Sequence, residues 1–362
     1  MFNGDIMRVW LRQFEITFTS NITKQKMVIS DYADGKNTMS INITGTKYLT
    51  ILKDEFTIEI NNLTYLQILQ LIDGQFYEVE IKVGYKNIGL HSVFKGGIIY
   101  ISNNLGDRKT NTVIILCGSK FISAYGQSRL NYCLTSGVNM YQAISFLLNK
   151  SGIKNFGIDP TFKERILTET VNANSSVASW LDNYITQNQL VANVDYTTNN
   201  IVNIWDPFGK SRNVVRLNQN NILLTGGYPR LTSQGLELTI LPTQKLSPGD
   251  IIEIDNSLIN IPINDRDDLS SALGIYLDNS TNVKDVITGN TYGQYMIYEI
   301  EYNLQNRDAD FSLKIIAKSR NLIKKLIGGK WWQMIIVKWD MIFIMMIWWQ
   351  FVWNSNQIFF EL

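Results

Sequence analysis

Side chains that could carry out a reaction are few in this chain of 362 residues. His91 is the only histidine, so a Ser-His or Cys-His nucleophilic pair could be assembled only through it. It lies between Leu90 and Ser92, where a strand meets a turn, and the sequence identifies no substrate-side partner for it. We therefore expect His91 to be a loop or interface residue and not a general base.

The cysteines and glycine pairs give no metal, cofactor or phosphate site. Cys117 and Cys133 are too few for a disulfide framework, and neither has the spacing of a metal ligand. We expect both to be core residues. Gly96-Gly97 and Gly226-Gly227 lack the Lys-Ser/Thr ending of a phosphate-binding loop and are typical of turns between strands.

A pair of carboxylates is the remaining candidate for catalysis. Glu78 and Glu80 share one face of a predicted strand, and two carboxylates are what a glycosidase needs. Such pairs on a strand face are usually solvated. We predict no catalytic residue, and a cell-wall hydrolase on a β-rich scaffold remains as an alternative.

Turns and short strands alternate over residues 216–256. Gly226, Gly227 and Pro229 interrupt one strand, because glycine tolerates positive φ and proline removes a donor. Pro248 and Gly249 fill the two central positions of a turn, where positive φ is expected at the glycine. Alternating apolar residues predict strands at Leu236, Leu238 and Ile240, at 251–254, and on one face formed by Met296, Tyr298, Ile300 and Tyr302.

The chain divides into four regions by pattern. Residues 1–118 alternate as short strands with Gly, Asn and Asp turns, typical of a small barrel or sandwich. Residues 119–213 contain helical spacing over 138–150 and 175–184 and a hairpin over 191–205, which indicates an α+β insertion. Strands return over 214–327, and a hydrophobic tail occupies 328–362.

The order of these motifs resembles phage tail baseplate hub proteins, the late control protein D-like family of contractile-tail and injection systems. The resemblance covers most of the chain before the tail. It is carried by Phe56–Leu63, a short helix over 65–72, Val79–Tyr85, Phe94–Ile98, Asn111–Cys117, the Gly226-Gly227-Tyr228-Pro229 and Leu246–Asp250 turns, Tyr292–Ile297 and Phe311–Ala317.

The resemblance implies a fold and a place of action. The fold would be α+β and mainly β, with two small β-barrels related as a tandem pair and the insertion between them. The protein would be a homotrimeric hub that joins the tail tube protein to the central spike protein in the virion. Its lumen would accommodate the tape-measure protein and transient passage of DNA without sequence-specific binding.

Composition sets further bounds on partners. A formal net charge of +1 and a pI near 7.6 give no field that would make nucleic acid the main partner. The first residues lack the basic start and apolar run of a secretory signal. We therefore expect synthesis in the host cytoplasm.

The C-terminal tail differs sharply from the rest. It holds six of the nine tryptophans, and Lys338 and Asp340 are the only charged residues in the apolar stretch 331–353. Three hypotheses stay open: a buried plug or partner-binding segment, a membrane-inserting element, or an end with no defined role. The candidate contact residues are Trp331, Trp332, Trp339, Ile342, Ile344, Ile347, Trp348, Trp349 and Trp353.

Overall fold

The computed structural model describes most of the chain up to residue 319. Among the predicted site residues, Gly226, Gly227 and the whole tail 328–362 lie outside the described residues. The described ranges are 11–20, 22–32, 39–50, 54–73, 76–104, 111–119, 128–188, 190–197, 202–207, 213–217, 229–232, 235–255, 258–259, 292–307 and 310–319.

The first region is a run of antiparallel strands with one short helix. Apolar residues alternate along each strand, so that Phe14, Ile16 and Phe18 of the first strand are fully buried. The helix begins after Thr64, which exchanges hydrogen bonds with Gln67 in a capping box. The elements are β1 (Arg12–Ser20), β2 (Lys26–Asp31), β3 (Ser40–Tyr48), β4 (Glu55–Asn61), α1 (Tyr65–Asp73), β5 (Phe76–Tyr85), β6 (Gly89–Asn104) and β7 (Thr112–Gly118).

The insertion contains two α-helices in its described residues, and both predicted helical segments are confirmed with small shifts in their ends. Asn139 and Ser176 cap free amide groups at the two N-termini. The predicted hairpin is confirmed as an antiparallel strand pair. The elements are β8 (Tyr132–Leu134), α2 (Met140–Lys150), β9 (Phe156–Ile158), a 3-10 turn (Pro160–Lys163), β10 (Val171–Ala173), α3 (Val177–Gln187), β11 (Val191–Val194) and β12 (Val202–Trp205).

Strands return in the third region as predicted. The alternation of Leu236, Leu238 and Ile240 is confirmed, since all three are buried on one face of a strand. The elements are β13 (Val214–Leu217), β14 (Arg230–Thr232), β15 (Gly235–Ile240), β16 (Ile251–Asp255), β17 (Tyr292–Gln305) and β18 (Phe311–Ser319).

The strands of the first and third regions form one continuous sheet of 13 strands. Its main path runs β14-β15-β18-β17-β3-β4-β7-β6-β5-β1-β2, with β16 on β17 and β13 on β16. The predicted pair of small closed barrels therefore needs correction: in the described residues no pairing closes either region into a ring. The reason is the length of β17, whose 14 residues reach both β16 and β3 and so join the two regions.

The two regions also share one apolar core. The Phe311 ring of β18 lies 5.4 Å from the Phe14 ring of β1 and 5.1 Å from the Tyr85 ring of β5. The Phe56 ring of β4 lies 5.2 Å from the Tyr302 ring of β17. The sheet thus curls until its third region covers the first, while the insertion keeps a separate core around α2 and α3.

The predicted single face of β17 is wrong for half of that strand. The register shifts between Ile297 and Glu299, where a bulge lets successive side chains change sides. Ile300 and Tyr302 consequently face the main core. Met296 and Tyr298 belong instead to a small separate cluster near the insertion.

Candidate functional site

Charged side chains meet where the insertion contacts the sheet. Lys47 near the end of β3 places its Nζ 4.0 Å from Oδ1 of Asp195, the residue that follows β11. The two side chains are only 5% and 4% exposed. Burying a charge is costly unless it is paired, so each of these groups requires the other.

Asp195 is further held by hydroxyl and amide donors. Its Oδ1 accepts hydrogen bonds from the Thr197 amide at 2.9 Å and the Thr197 hydroxyl at 2.5 Å. Its Oδ2 accepts from the Ser247 hydroxyl at 3.2 Å. Burial alone would raise the pKa of Asp195, but Lys47 and these hydrogen bonds outweigh it and hold the pKa below its ordinary value. The carboxylate therefore stays ionised.

Asp54 is a second carboxylate near Lys47, and its pKa shifts in the opposite direction to that of Asp195. It lies immediately before β4, and its Oδ1 accepts from the Tyr48 amide at 3.3 Å. Burial raises the pKa of Asp54 to about 6, and the negative charge of Asp195 adds to that effect, although Lys47 and the Tyr48 amide oppose it. The charge of Lys47 thus acts on two carboxylates, and it forms an ion pair with Asp195.

The Pro-Gly turn that precedes β16 closes the site from the third region. The Asp250 amide donates to the Ser247 carbonyl at 3.0 Å, and the Ser247 amide donates to Asp250 Oδ2 at 2.9 Å. Pro248 and Gly249 occupy the two central positions, and the positive φ expected at Gly249 is observed at +94°. The Gly249 amide donates to the Ile297 carbonyl of β17 at 2.8 Å.

An apolar contact lies beside the charged group. The indole of Trp205 at the end of β12 packs so closely over Gly249 that a Cβ there would collide with the ring. The Asn193 side-chain amide donates to the Pro248 carbonyl at 3.0 Å. We call these charged and apolar contacts together the junction. Its apolar members are Leu49, Val191, Trp205, Ile251, Met296 and the half-buried Tyr298.

Sequence reasoning missed the junction. Lys47, Asp195 and Trp205 each look ordinary in their own segments, because polar residues are expected at strand ends and aromatic residues within strands. Their importance comes from contacts between segments that are distant in sequence, such as that of Lys47 with Asp195. Only the Pro248-Gly249 turn was visible, since its signal is local.

His91 lies in strand β6, paired with Val83, so the prediction of a loop position is wrong. Burial, with a smaller effect of the Lys245 charge, lowers the pKa of His91 to about 4, so the ring is neutral near neutral pH. Its Nε2 is buried and has no hydrogen-bond partner in the described part of the chain. His91 is therefore an uncharged residue within the sheet.

The two cysteines differ in solvent exposure. Cys117 is buried on β7 as expected, and burial raises the pKa of its thiol to about 12, which leaves it unreactive. Cys133 is exposed, which corrects the prediction of a core position. It lies on β8, which pairs with the short strand β10 in a two-stranded sheet.

The remaining predicted residues are placed as follows. Glu78 and Glu80 occupy one face of β5 and are both part-exposed. Pro229 is buried just before β14. Within the described ranges, no group of three acidic, histidine or cysteine residues could hold a metal, and no helix has the length and apolar character needed to cross a bilayer.

Comparison with known proteins identifies the fold. No family model matches the chain, and no curated protein matches it by sequence. A tail protein from Neisseria meningitidis MC58 matches 86% of this chain and 97% of its own length, with a TM-score of 0.50 and 7% identity. The chain has the fold of this tail protein. The predicted likeness to tail proteins is thus confirmed at the level of fold.

Two further solved structures match with lower TM-scores. The 43 kDa tail protein of prophage MuSo2 from Shewanella oneidensis has a TM-score of 0.49 and 11% identity, over 85% of this chain and 97% of that one. A protein of Escherichia coli, described as a component of the type VI secretion system, has a TM-score of 0.45 and 10% identity, over 79% of this chain and 75% of that one.

Proposed function

We propose that this protein is a structural hub of a phage tail or related injection particle, and that it acts as a homotrimer. The observation that carries the proposal is the tail-protein fold, which extends over 86% of the chain. The hub would join the tail tube protein above to the central spike protein below. Its role would be geometric, without catalysis or a cofactor.

Open sheet edges support assembly with other copies. β2 and β14 stand at the two ends of the sheet path, each with one paired neighbour among the described strands. Val28 of β2 is also 51% exposed. An uncovered strand edge invites pairing with another chain, and a closed ring of subunits would cover it.

The number of copies follows from the two β regions. The first region, 1–118, and the third, 214–327, would act as two similar β-rich units on either side of the insertion, 119–213, although their strands share one sheet. Three copies would then present six similar units to a sixfold tail tube. The ring would enclose a lumen for the tape-measure protein and for DNA, whose passage needs no base contact.

The test is the mass and symmetry of the purified full-length protein. We expect a trimer by light scattering and a threefold ring in electron micrographs viewed along the symmetry axis. Val28→Lys should weaken the trimer by placing a charge at a covered edge. Ile166→Lys is the matched control, because Ile166 is 64% exposed but belongs to the insertion. A stable monomer at micromolar concentration would refute the proposal.

The roles of the tail residues stay predictions of the same kind. We propose that the tryptophans and isoleucines of 331–353 contact a partner inside the particle, as exposed apolar segments commonly do. Replacing Ile342, Ile344 and Ile347 with Asp should then block assembly while liposome binding is unaffected. Loss of liposome flotation with normal assembly would favour membrane contact instead.

A further inference from the structure

A surface cleft of about 510 Å³ lies beside α3 on the insertion, away from the junction residues. One wall is the helix, and the opposite wall is the extended segment that runs from Leu167 to Ser175 through β10. Trp180 and Tyr184 form the floor, since each is only 5% exposed. Neither the sheet nor its edges contribute a lining residue.

The helix places aromatic and amide side chains on one face. Trp180 and Tyr184 lie four residues apart, as do Asn183 and Gln187, so both pairs line up along the cleft. The rings of Trp180 and Tyr184 are stacked, with centroids 5.2 Å apart and planes inclined by 27°. This stacking fixes the floor and leaves the two amides at its rim.

The lining is polar but almost uncharged. Glu169 is the only acidic residue, and the described residues that line the cleft include no lysine, arginine or histidine. Most of the other lining side chains are amides and hydroxyls, such as Asn172, Asn183 and Gln187, which can both donate and accept hydrogen bonds.

Tyr184 supplies a second, independent indication. Its hydroxyl is buried and has no hydrogen-bond partner in the described part of the chain. An unmet hydroxyl under a polar cleft is a cost to the folded protein that a ligand or water reaching it would remove. Burial also raises the pKa of Tyr184 to about 12, so the group remains a neutral donor.

These features select a ligand class by elimination. An anion would find no cationic partner, and a metal ion would find one carboxylate where several oxygen ligands are needed. Amides and hydroxyls both donate and accept, which matches the hydroxyl groups of a sugar. We propose that this cleft binds a neutral saccharide, a function independent of the hub role.

The test is saturation-transfer NMR and calorimetry on the full-length protein. The probes are tri-N-acetylchitotriose and maltotriose as neutral saccharides and trigalacturonate as an anionic one. We expect at least one neutral probe to bind at micromolar to millimolar concentration and the anionic probe to bind more weakly. Absence of binding by both neutral probes, or stronger binding of trigalacturonate, would overturn the proposal.

Variants assign any binding to the cleft. Asn183→Ala and Gln187→Ala should each weaken the neutral probe about fivefold, the loss expected for one hydrogen bond. Both positions are exposed, so the fold should be retained. Asp182→Ala is the matched control, because Asp182 is exposed on the same helix but does not line the cleft. Equal affinity in all three variants would show that the saccharide binds elsewhere, which refutes the assignment.

Discussion

The first and third regions are joined broadly, whereas the insertion is joined to them narrowly. β3 and β17 pair over seven residues, from Tyr48 opposite Glu299 to Asn42 opposite Gln305, above a shared apolar core. The insertion is held by the small apolar cluster of the junction and by charges around Lys47. The free energy of a broad apolar contact comes from many residues, whereas that of a narrow contact comes from a few. A single substitution should therefore cost more stability at the junction.

The largest effect should come from removing the cation of the junction. Lys47→Met should lower the free energy of unfolding by about 3–5 kcal/mol, because it leaves the Asp195 carboxylate buried without its ion-pair partner. The measurement is urea unfolding at pH 8. Adding Asp195→Asn to Lys47→Met should recover part of the loss, since the amide carries no charge. A double variant no more stable than Lys47→Met would contradict this account.

The second prediction separates the two carboxylates beside Lys47. The pKa of Asp54 rises from 3.8 to about 6 in the folded protein, so folding favours its protonated form. The resulting contribution of Asp54 to the free energy of unfolding is roughly 3 kcal/mol. It is fully present below pH 3.8 and is lost as the pH rises through about 6. Asp54→Asn keeps an oxygen for the Tyr48 amide and should be more stable than the parent above pH 6.

The effect of His91 on the pH dependence of stability is opposite to that of Asp54, so His91 provides an internal check on that measurement. Its pKa falls from 6.5 to about 4, so stability is lost as the pH drops between those values. In the parent protein, the pH dependences of stability that come from Asp54 and His91 therefore partly cancel. Stability curves over pH 4–7 should therefore rise more steeply with pH in Asp54→Asn than in the parent. Parallel curves would mean that Asp54 is ionised throughout.

The third prediction concerns the apolar half of the junction. Gly249→Ala should lower the free energy of unfolding by on the order of 1–3 kcal/mol, from the strained positive φ and the collision with Trp205. Gly137→Ala is the matched control, because Gly137 has φ of +91° with no atom within 4 Å of an added Cβ. Equal melting temperatures for the two variants would show that the Trp205 contact adds nothing.

These contacts explain how far the sequence predicted the structure. Strand alternation and capping residues are local, and they predicted β15, α2, α3 and the Pro248-Gly249 turn well. The joining of two regions into one sheet depends on the length and bulge of β17, which no local pattern reveals. The junction depends on Lys47 meeting Asp195 across 148 positions, with the separation fixed by the fold alone.

The smallest expected effect tests whether burial is what makes Lys47 important. Lys82 forms a similar ion pair on the outer face of the sheet, with its Nζ 2.8 Å from Glu15 Oε1 and side chains 33% and 20% exposed. The hydrogen bond from Lys82 lowers the pKa of Glu15, helped by the Tyr32 hydroxyl, so this contribution is lost as the pH falls through that lowered pKa. Solvent screens the pair, and Lys82→Met should cost only about 0.2–1 kcal/mol at pH 8 in the same urea assay. If the distance between the charges decided the strength of an ion pair, the Lys82 pair would be the stronger one. A loss of stability in Lys82→Met as large as that in Lys47→Met would therefore show that distance, and not burial, governs the two pairs.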